Sequence, residues 1–277
     1  MRLAFHSATS MGADLATDVA VSAQAGYKAL EVWATKIDAY LADHSLVDLV
    51  DLFRGHRVEP ATINSIEFIA FRGTEYELIR TRCQALCAIA QAMGCSTVVV
   101  VPSPTPDRNL AWEAVVEEYV TVLRDLSGIA QPFGVRLAFE FLGFGWCSVR
   151  TPRGAHEIVC KTDRGNVGMV LDAAHFFGGG GLLSEIDALD PASIYAFHLD
   201  DLEDGPKEAI SDARRVLPGL GVVPLDDLCA RLSGIGYNGL CSIELFRPEY
   251  WAWDPYVLAQ KARQAALGVL AGYFEVE

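Results

Sequence analysis

The chain predicts a single-domain α/β fold, a (β/α)8 TIM barrel spanning residues 1–277. Three observations predict it. Short apolar runs alternate eight times with segments of helical periodicity. No hairpin signal joins consecutive runs, so the strands read as parallel with right-handed crossovers. Eight such units close at about 250 residues, near the length here. The rival is a doubly wound open sheet. It lacks the Gly-x-Gly-x-x-Gly turn expected after its first strand.

The elements follow in order. Leu3–His6 is a strand, and Asp14 opens an amphipathic helix to Ala25. Ala29–Trp33 is a strand, and Ser45 is the N-cap for a helix over Leu46–His56. Glu59–Ile63 is a strand, with a loop over Asn64–Gly73. Glu75–Met93 has helical spacing and Gly94 stops it. Thr97–Val101 is a strand ended by Pro102. Leu110–Gln131 is a long helix, followed by the strand Arg136–Glu140. Thr151-Pro152 is an N-cap and N1 pair opening a helix to Lys161. Val167–Asp172 is a strand, the turn Asp172–His175 leaves it, and Gly178–Gly181 is a glycine run. Leu182–Leu189 is a short helix, and Ile194–Leu199 is a strand. A polar insertion, Asp200–Gly221, precedes a helix over Pro224–Leu232. Leu240–Glu244 is the last strand and Asp254–Phe274 the closing helix.

Composition narrows the function. The net charge of −14 repels phosphate backbones, so nucleic acid is a poor partner. No apolar run is long enough to span a bilayer, and no signal peptide precedes the first strand. Seven cysteines is an odd number. Cys83, Cys87, Cys160, Cys229 and Cys241 fall in apolar periodic segments and read as buried thiols of a cytoplasmic protein.

The chemistry lies at strand ends. Four apolar runs finish on a metal-type ligand: Glu140, Asp172, His198 and Glu244. In a parallel barrel those ends meet on one face. Alone, each would more often be a cap or a salt-bridge partner. Together they indicate one divalent ion, with Zn, Mn, Co and Mg all compatible with three carboxylates and an imidazole. His175, three residues after Asp172, is read as contacting substrate or ordering a ligand. Asp200, two residues beyond His198, shares its face if the strand continues. Asp201 is read as solvated. Arg215 offers a guanidinium fork to a substrate oxygen, and Arg214 suits surface pairing. Trp33, Asn64, Glu67 and Trp146 follow strands and are pocket walls. His6 ends the first strand and is a weaker candidate. Arg247 suits a structural ion pair or contact with substrate hydroxyls, and Trp251 suits either a lid or the core. His44, His56 and His156 carry no assigned role.

The stretches LAFEFLG, NVGMVLDAAHF, FHLDDLED, RVLPGLG and SIELFRPEYW resemble the xylose-isomerase-like barrel family of sugar isomerases and epimerases. HLDDLED, RVLPG and ELFRPEY resemble its keto-inositol-isomerising branch. The resemblance implies metal ligands Glu140, Asp172, His198 and Glu244. Glu140 and Glu244, on nearly opposite sides of the ring, are the expected catalytic pair, each with one oxygen left for a proton. It implies substrate contacts from His175 and Arg215. The expected activity moves the ketone of a keto-inositol through a cis-enediolate. A ketose 3-epimerase and an inosose or 3-dehydroshikimate dehydratase use the same centre and are the alternatives. An apurinic-site endonuclease would need more histidines and a basic face. Trp33, Arg214, Phe144, Trp146 and the pair His6-Ser7 depart from the family's pattern, which leaves the substrate less defined than the reaction.

Overall fold

The structure, a computed structural model, describes residues 1–106 and 109–277. Eight parallel strands form one closed barrel. They are β1 (Arg2–His6), β2 (Ala29–Trp33), β3 (Glu59–Ile66), β4 (Thr97–Val100), β5 (Arg136–Glu140), β6 (Val167–Asp172), β7 (Ile194–His198) and β8 (Leu240–Ile243). Each pairs with its neighbours in the chain, and β1 pairs with β8 to shut the ring. Helices cover the outside, as the alternation predicts.

Strand alternation divides the core in two. Phe5, Leu30, Val32, Phe139, Leu171 and Phe197 face outward and pack with the helices. Ala4, Ala29, Ala138, Val170 and Ala196 form a separate buried cluster inside the ring. These small side chains fill a narrow lumen, which is a packed core and not a pore. Two residues further along each of those strands stand His6, Glu31, Glu140, Asp172 and His198. A period of two puts them on the same inward face, one layer nearer the C-terminal mouth. The register agrees: His6 lies beside Glu31, and Asp172 beside His198.

Helix starts follow the expected caps. The Asp14 carboxylate accepts from Thr17 N to open Leu15–Ala25. Ser45 and Asp48 form a reciprocal capping box on Leu46–His56. Thr151 caps Pro152–Thr162. Losing such a cap costs about 1 kcal/mol.

Several expectations need correction. A helix, Ala34–Leu41, starts directly after β2. Its N-cap is Trp33, which makes no capping bond, so the sequence lacks a start signal there. Strand β3 runs on to Ile66, drawn by pairing with Val100 of β4. The glycine run is partly helical: Ala173–Gly179 begins on Asp172 and stops at Gly180, whose φ is +77°. A side chain at Gly143 or Gly179 would strike backbone of the facing segment, so glycine is required for that close approach. The insertion holds a short antiparallel ribbon, Asp201–Leu202 against Arg215–Val216, where no hairpin was expected.

Asp201 is buried, not solvated. It accepts from the backbone N–H groups of Gly219, Gly221 and Val223 and so folds the Pro-Gly turn around itself. The Arg214 guanidinium likewise donates to the carbonyls of Glu203 and Ala209 and braces the loop. Cys160 is exposed, against expectation, and the other six cysteines are buried. All seven are free thiols. No helix among the described residues is long and apolar enough to cross a membrane.

Candidate metal centre

Glu140 closes β5, Asp172 closes β6, His198 closes β7, and Glu244 follows β8 directly. All four are buried, and one ligand atom from each lies within 4.8 Å of the others. His198 Nδ1 is the hub. It is 3.0 Å from Glu140 Oε1, 3.2 Å from Glu244 Oε2 and 3.8 Å from Asp172 Oδ2. One ring nitrogen carries at most one proton, so it cannot serve three carboxylates. A shared cation would satisfy all three.

Asp172 has two duties. Its Oδ1 caps the helix Ala173–Gly179 by accepting from His175 N at 2.6 Å, and its Oδ2 faces the cluster. Asp200 docks beside it, accepting from Ala174 N at 2.8 Å and from Arg215 Nη1. Arg215 is itself buried, with Nη1 also donating to Asp172 at 2.8 Å and to Glu244 Oε2 at 3.2 Å. Its Nη2 lies 3.1 Å from His175 Nε2. An arginine fork can bridge several carboxylates because its donors are fixed in one plane.

A second half of the site comes from β1, β2 and β3. The Nδ1 of His6 accepts from Ala8 N, so its proton sits on Nε2, which lies 3.0 Å from Glu244 Oε1. The Nδ2 of Asn64 donates to Glu244 Oε1 at 3.2 Å and to Glu31 Oε1 at 3.3 Å. Glu31 is fully buried, and its carboxylate reaches His198 Nε2 at 3.2 Å. Sequence reasoning missed Glu31. The available signal was a carboxylate inside Ala-Leu-Glu-Val-Trp, alternating with Ala29 and Trp33 on the inward face.

Charge balance supports a cation. Glu31, Glu140, Asp172, Asp200 and Glu244 are all buried, and Arg215 is the permanent positive charge among them. Uncompensated buried carboxylates cost several kcal/mol each, roughly, even after relaxation. The titration behaviour reflects this crowding. Burial, with Glu244 and Asp172 adding to it, pushes Glu140 up to about 8 against the pull of His198. Burial works against the charge on His198, but Glu244, Glu31 and Glu140 outweigh it and hold the ring protonated well above its usual range. Burial also acts upward on Glu31 and Glu244. There His198 and His6 prevail, bringing Glu31 down to about 2 and Glu244 well below its usual value.

Above the cluster lies a cavity of about 300 Å³. Glu140, Glu244, His175 and Arg215 form its polar floor, and Asn64 and Glu67 line it too. Its walls are aromatic: Trp33, Phe68, Phe144, Trp146 and Phe246. Trp33 meets Phe246 edge-on at 5.2 Å, and Phe144 stacks on Trp146 at 5.2 Å. The structure thus brings Glu140, Asp172, His198 and Glu244 together, with His175, Arg215, Trp33, Asn64, Glu67 and Trp146 around the cavity above them. His6, a weaker candidate, contacts Glu244. Trp251 is not a wall: its indole N–H donates to Ala8 O and braces the loop after β1. Arg247 makes the expected ion pairs, with Glu203 and Glu249.

Residues 19–268 match the family model described as xylose isomerase-like TIM barrel. The chain is 35% identical to the inosose isomerase of Bacillus velezensis, covering 100% of both proteins. The inosose isomerase of Bacillus subtilis is likewise 35% identical, with 100% of both covered. A crystal structure of the IolI protein with a bound zinc atom superposes with a TM-score of 0.96 at 35% identity. It covers 99% of this chain and 100% of that one. D-psicose 3-epimerase from Clostridium cellulolyticum shares the fold, at a TM-score of 0.76 and 16% identity over 99% of each chain. The ring of eight strands, the ligand layer at its mouth and these matches agree: the chain belongs to the xylose isomerase-like TIM barrel family.

Proposed function

We propose that this chain is a metal-dependent isomerase that moves the ketone of a keto-inositol, 2-keto-myo-inositol, by proton transfer through a cis-enediolate. The observation that carries the reading is the floor of the cavity. Three carboxylates converge on one imidazole nitrogen there, in a chain alike over its full length to inosose isomerases. Glu140, Asp172, His198 and Glu244 would hold one divalent ion, with Zn, Mn, Co and Mg as candidates and zinc favoured by the structural relative. When bound, such an ion supplies Lewis acidity toward the carbonyl and neighbouring hydroxyl oxygens of a hydroxyketone.

The residues divide the remaining work. Glu140 Oε1 is held by His198, while Oε2 makes no hydrogen bond among the described residues, and the side chain lines the cavity. That unengaged oxygen on the cavity floor suits a carboxylate that takes a proton from carbon and returns it. Glu244 is the second proton-handling carboxylate, oriented by His6 and Asn64. His175 and Arg215 bind substrate oxygens. Trp33 and Asn64 bound the ring on the opposite side, and the aromatic walls exclude water from the enediolate. The partner is a small cyclitol or sugar. The site of action is the cytoplasm, where six buried thiols stay reduced.

The test is turnover of 2-keto-myo-inositol by zinc-loaded protein in D₂O, followed by NMR. Migration of the ketone to the adjacent carbon is expected, and chelation should abolish it. Inversion without migration would move the reading to a 3-epimerase, and loss of water to a dehydratase.

A further inference from the structure

We infer that Glu31 is a positioning residue for the candidate metal ligand His198, fixing which ring nitrogen is free to bind a cation. The inference rests on the metal reading above but not on the identity of the substrate. His198 presents its two nitrogens to different surroundings. Nδ1 faces Glu140 and Glu244 at 3.0 and 3.2 Å. Nε2 faces Glu31, whose Oε2 and Oε1 lie 3.2 and 3.3 Å away. A neutral imidazole that gives one nitrogen to a cation must carry its proton on the other. Glu31 is the hydrogen-bond partner of that other nitrogen among the described residues, so it accepts Nε2–H and leaves Nδ1 turned to the ligand cluster.

The placement of Glu31 argues against two other roles. It is fully buried and does not line the cavity, so it cannot touch substrate. It makes no ion pair with lysine or arginine among the described residues, so it is not half of an ordinary buried salt bridge. What surrounds it is an orienting frame. Asn64 Nδ2 donates to it at 3.3 Å, and it is set beside His6 by direct register between β1 and β2. The same frame reaches Glu244 through His6 and Asn64. Strands β1, β2 and β3 thereby aim ligands that β7 and β8 supply. A leucine would fill this volume without the cost of burying a carboxylate, so the acid is there for its acceptor oxygens.

The test uses Glu31→Leu, which keeps the shape and removes the acceptor, and Glu31→Gln, whose amide oxygen still accepts. Zinc affinity is measured by competition with a chromophoric chelator. Long-range ¹H–¹⁵N spectra of the zinc-loaded protein report the His198 tautomer. Zinc binding is expected to weaken about 10–100-fold in Glu31→Leu and to recover most of that in Glu31→Gln. The wild-type spectrum should show the proton on Nε2. Affinity within twofold of wild type in folded Glu31→Leu overturns the assignment, as does a proton on Nδ1. Should Glu31→Leu fail to fold, the spectrum and Glu31→Gln decide: a proton on Nε2 with near-wild-type binding in Glu31→Gln supports it. A wild-type protein that binds none of zinc, manganese, cobalt and magnesium removes the metal reading and this assignment together, whereas metal binding without turnover removes only the choice of substrate.

Discussion

The two halves of the barrel mouth do different jobs. Strands β5 to β8 each end on a ligand-type side chain, and these four converge within 4.8 Å. Strands β1 to β3 bring His6, Glu31 and Asn64, none of which belongs to that set. In the reading proposed above, one half gathers charge and the other aims it. The contrast shows that a centre of this kind needs more than donors of the right type. A carboxylate with free rotation would lose entropy on every binding event, and neighbours that fix it in advance reduce that loss.

The sharpest way to break the contrast is at Glu140, the ligand-half carboxylate with a free oxygen. Glu140→Gln keeps the size and removes the base. Exchange of the substrate C–H with D₂O should fall about 10²–10⁴-fold while the circular dichroism spectrum stays unchanged. Exchange at the wild-type rate would take Glu140 out of the proton path and leave Glu244 to act alone.

Arg215 joins the ligand half to the insertion. Its Nη1 reaches Asp172, Asp200 and Glu244, and its Nε reaches Asp212 at 3.0 Å. Arg215→Met would leave those buried acids without their permanent counter-charge. Denaturant unfolding of the metal-free protein should show a loss of about 3–5 kcal/mol. A loss below about 1 kcal/mol would mean the acids are neutralised by protons and not by the guanidinium. Added zinc should restore part of the stability, because a ligand that binds only the folded state stabilises it.

How far the sequence revealed each half follows from the same contrast. The ligand half was legible because an apolar run ending on Glu, Asp or His repeats four times, and a parallel barrel brings such ends together. In the aiming half, Asn64 was expected only as a wall and His6 only weakly. Strand β3 was expected to stop at Ile63, yet it runs to Ile66, so its pairing with β4 extends past the apolar stretch. Glu31 sits within its strand and not at its end, so a search of strand ends passes over it. Alternation would have found it, since Ala4, Ala29, Ala138, Val170 and Ala196 each precede by two residues a polar member of the site. Asp201 was misread for a related reason. A charged residue in a polar insertion reads as solvated unless the turn that wraps it is known, and that turn is a tertiary feature.

The contrast can be sharpened at Asn64, which donates to one carboxylate from each half. Asn64→Ala removes both bonds without removing a charge. A hydrogen bond to a charged group contributes about 1.5–3 kcal/mol, so kcat/KM should drop by about one to two powers of ten. The drop should fall mainly on kcat, because the geometry of Glu244 matters most when the proton moves. A change confined to KM would make Asn64 a wall, as its position in the sequence first suggests, and would shrink the aiming half to His6 and Glu31.

The smallest effect is expected at Trp146, which neither binds nor aims a ligand. It stands at the cavity rim, 45% exposed, stacked on Phe144 at 5.2 Å and edge-on to Phe68 at 6.0 Å. Aromatic pairs of this kind are worth about 0.5–1.5 kcal/mol. Trp146→Ala should therefore raise KM about 2–10-fold, with kcat and zinc affinity close to wild type. The reasoning is that a rim residue meets substrate and transition state alike, so losing it weakens both equally. If kcat fell as well, the aromatic rim would be acting on the reacting atoms, by excluding water or pressing the ring onto Glu140. The mouth would then divide into three functional parts and not two.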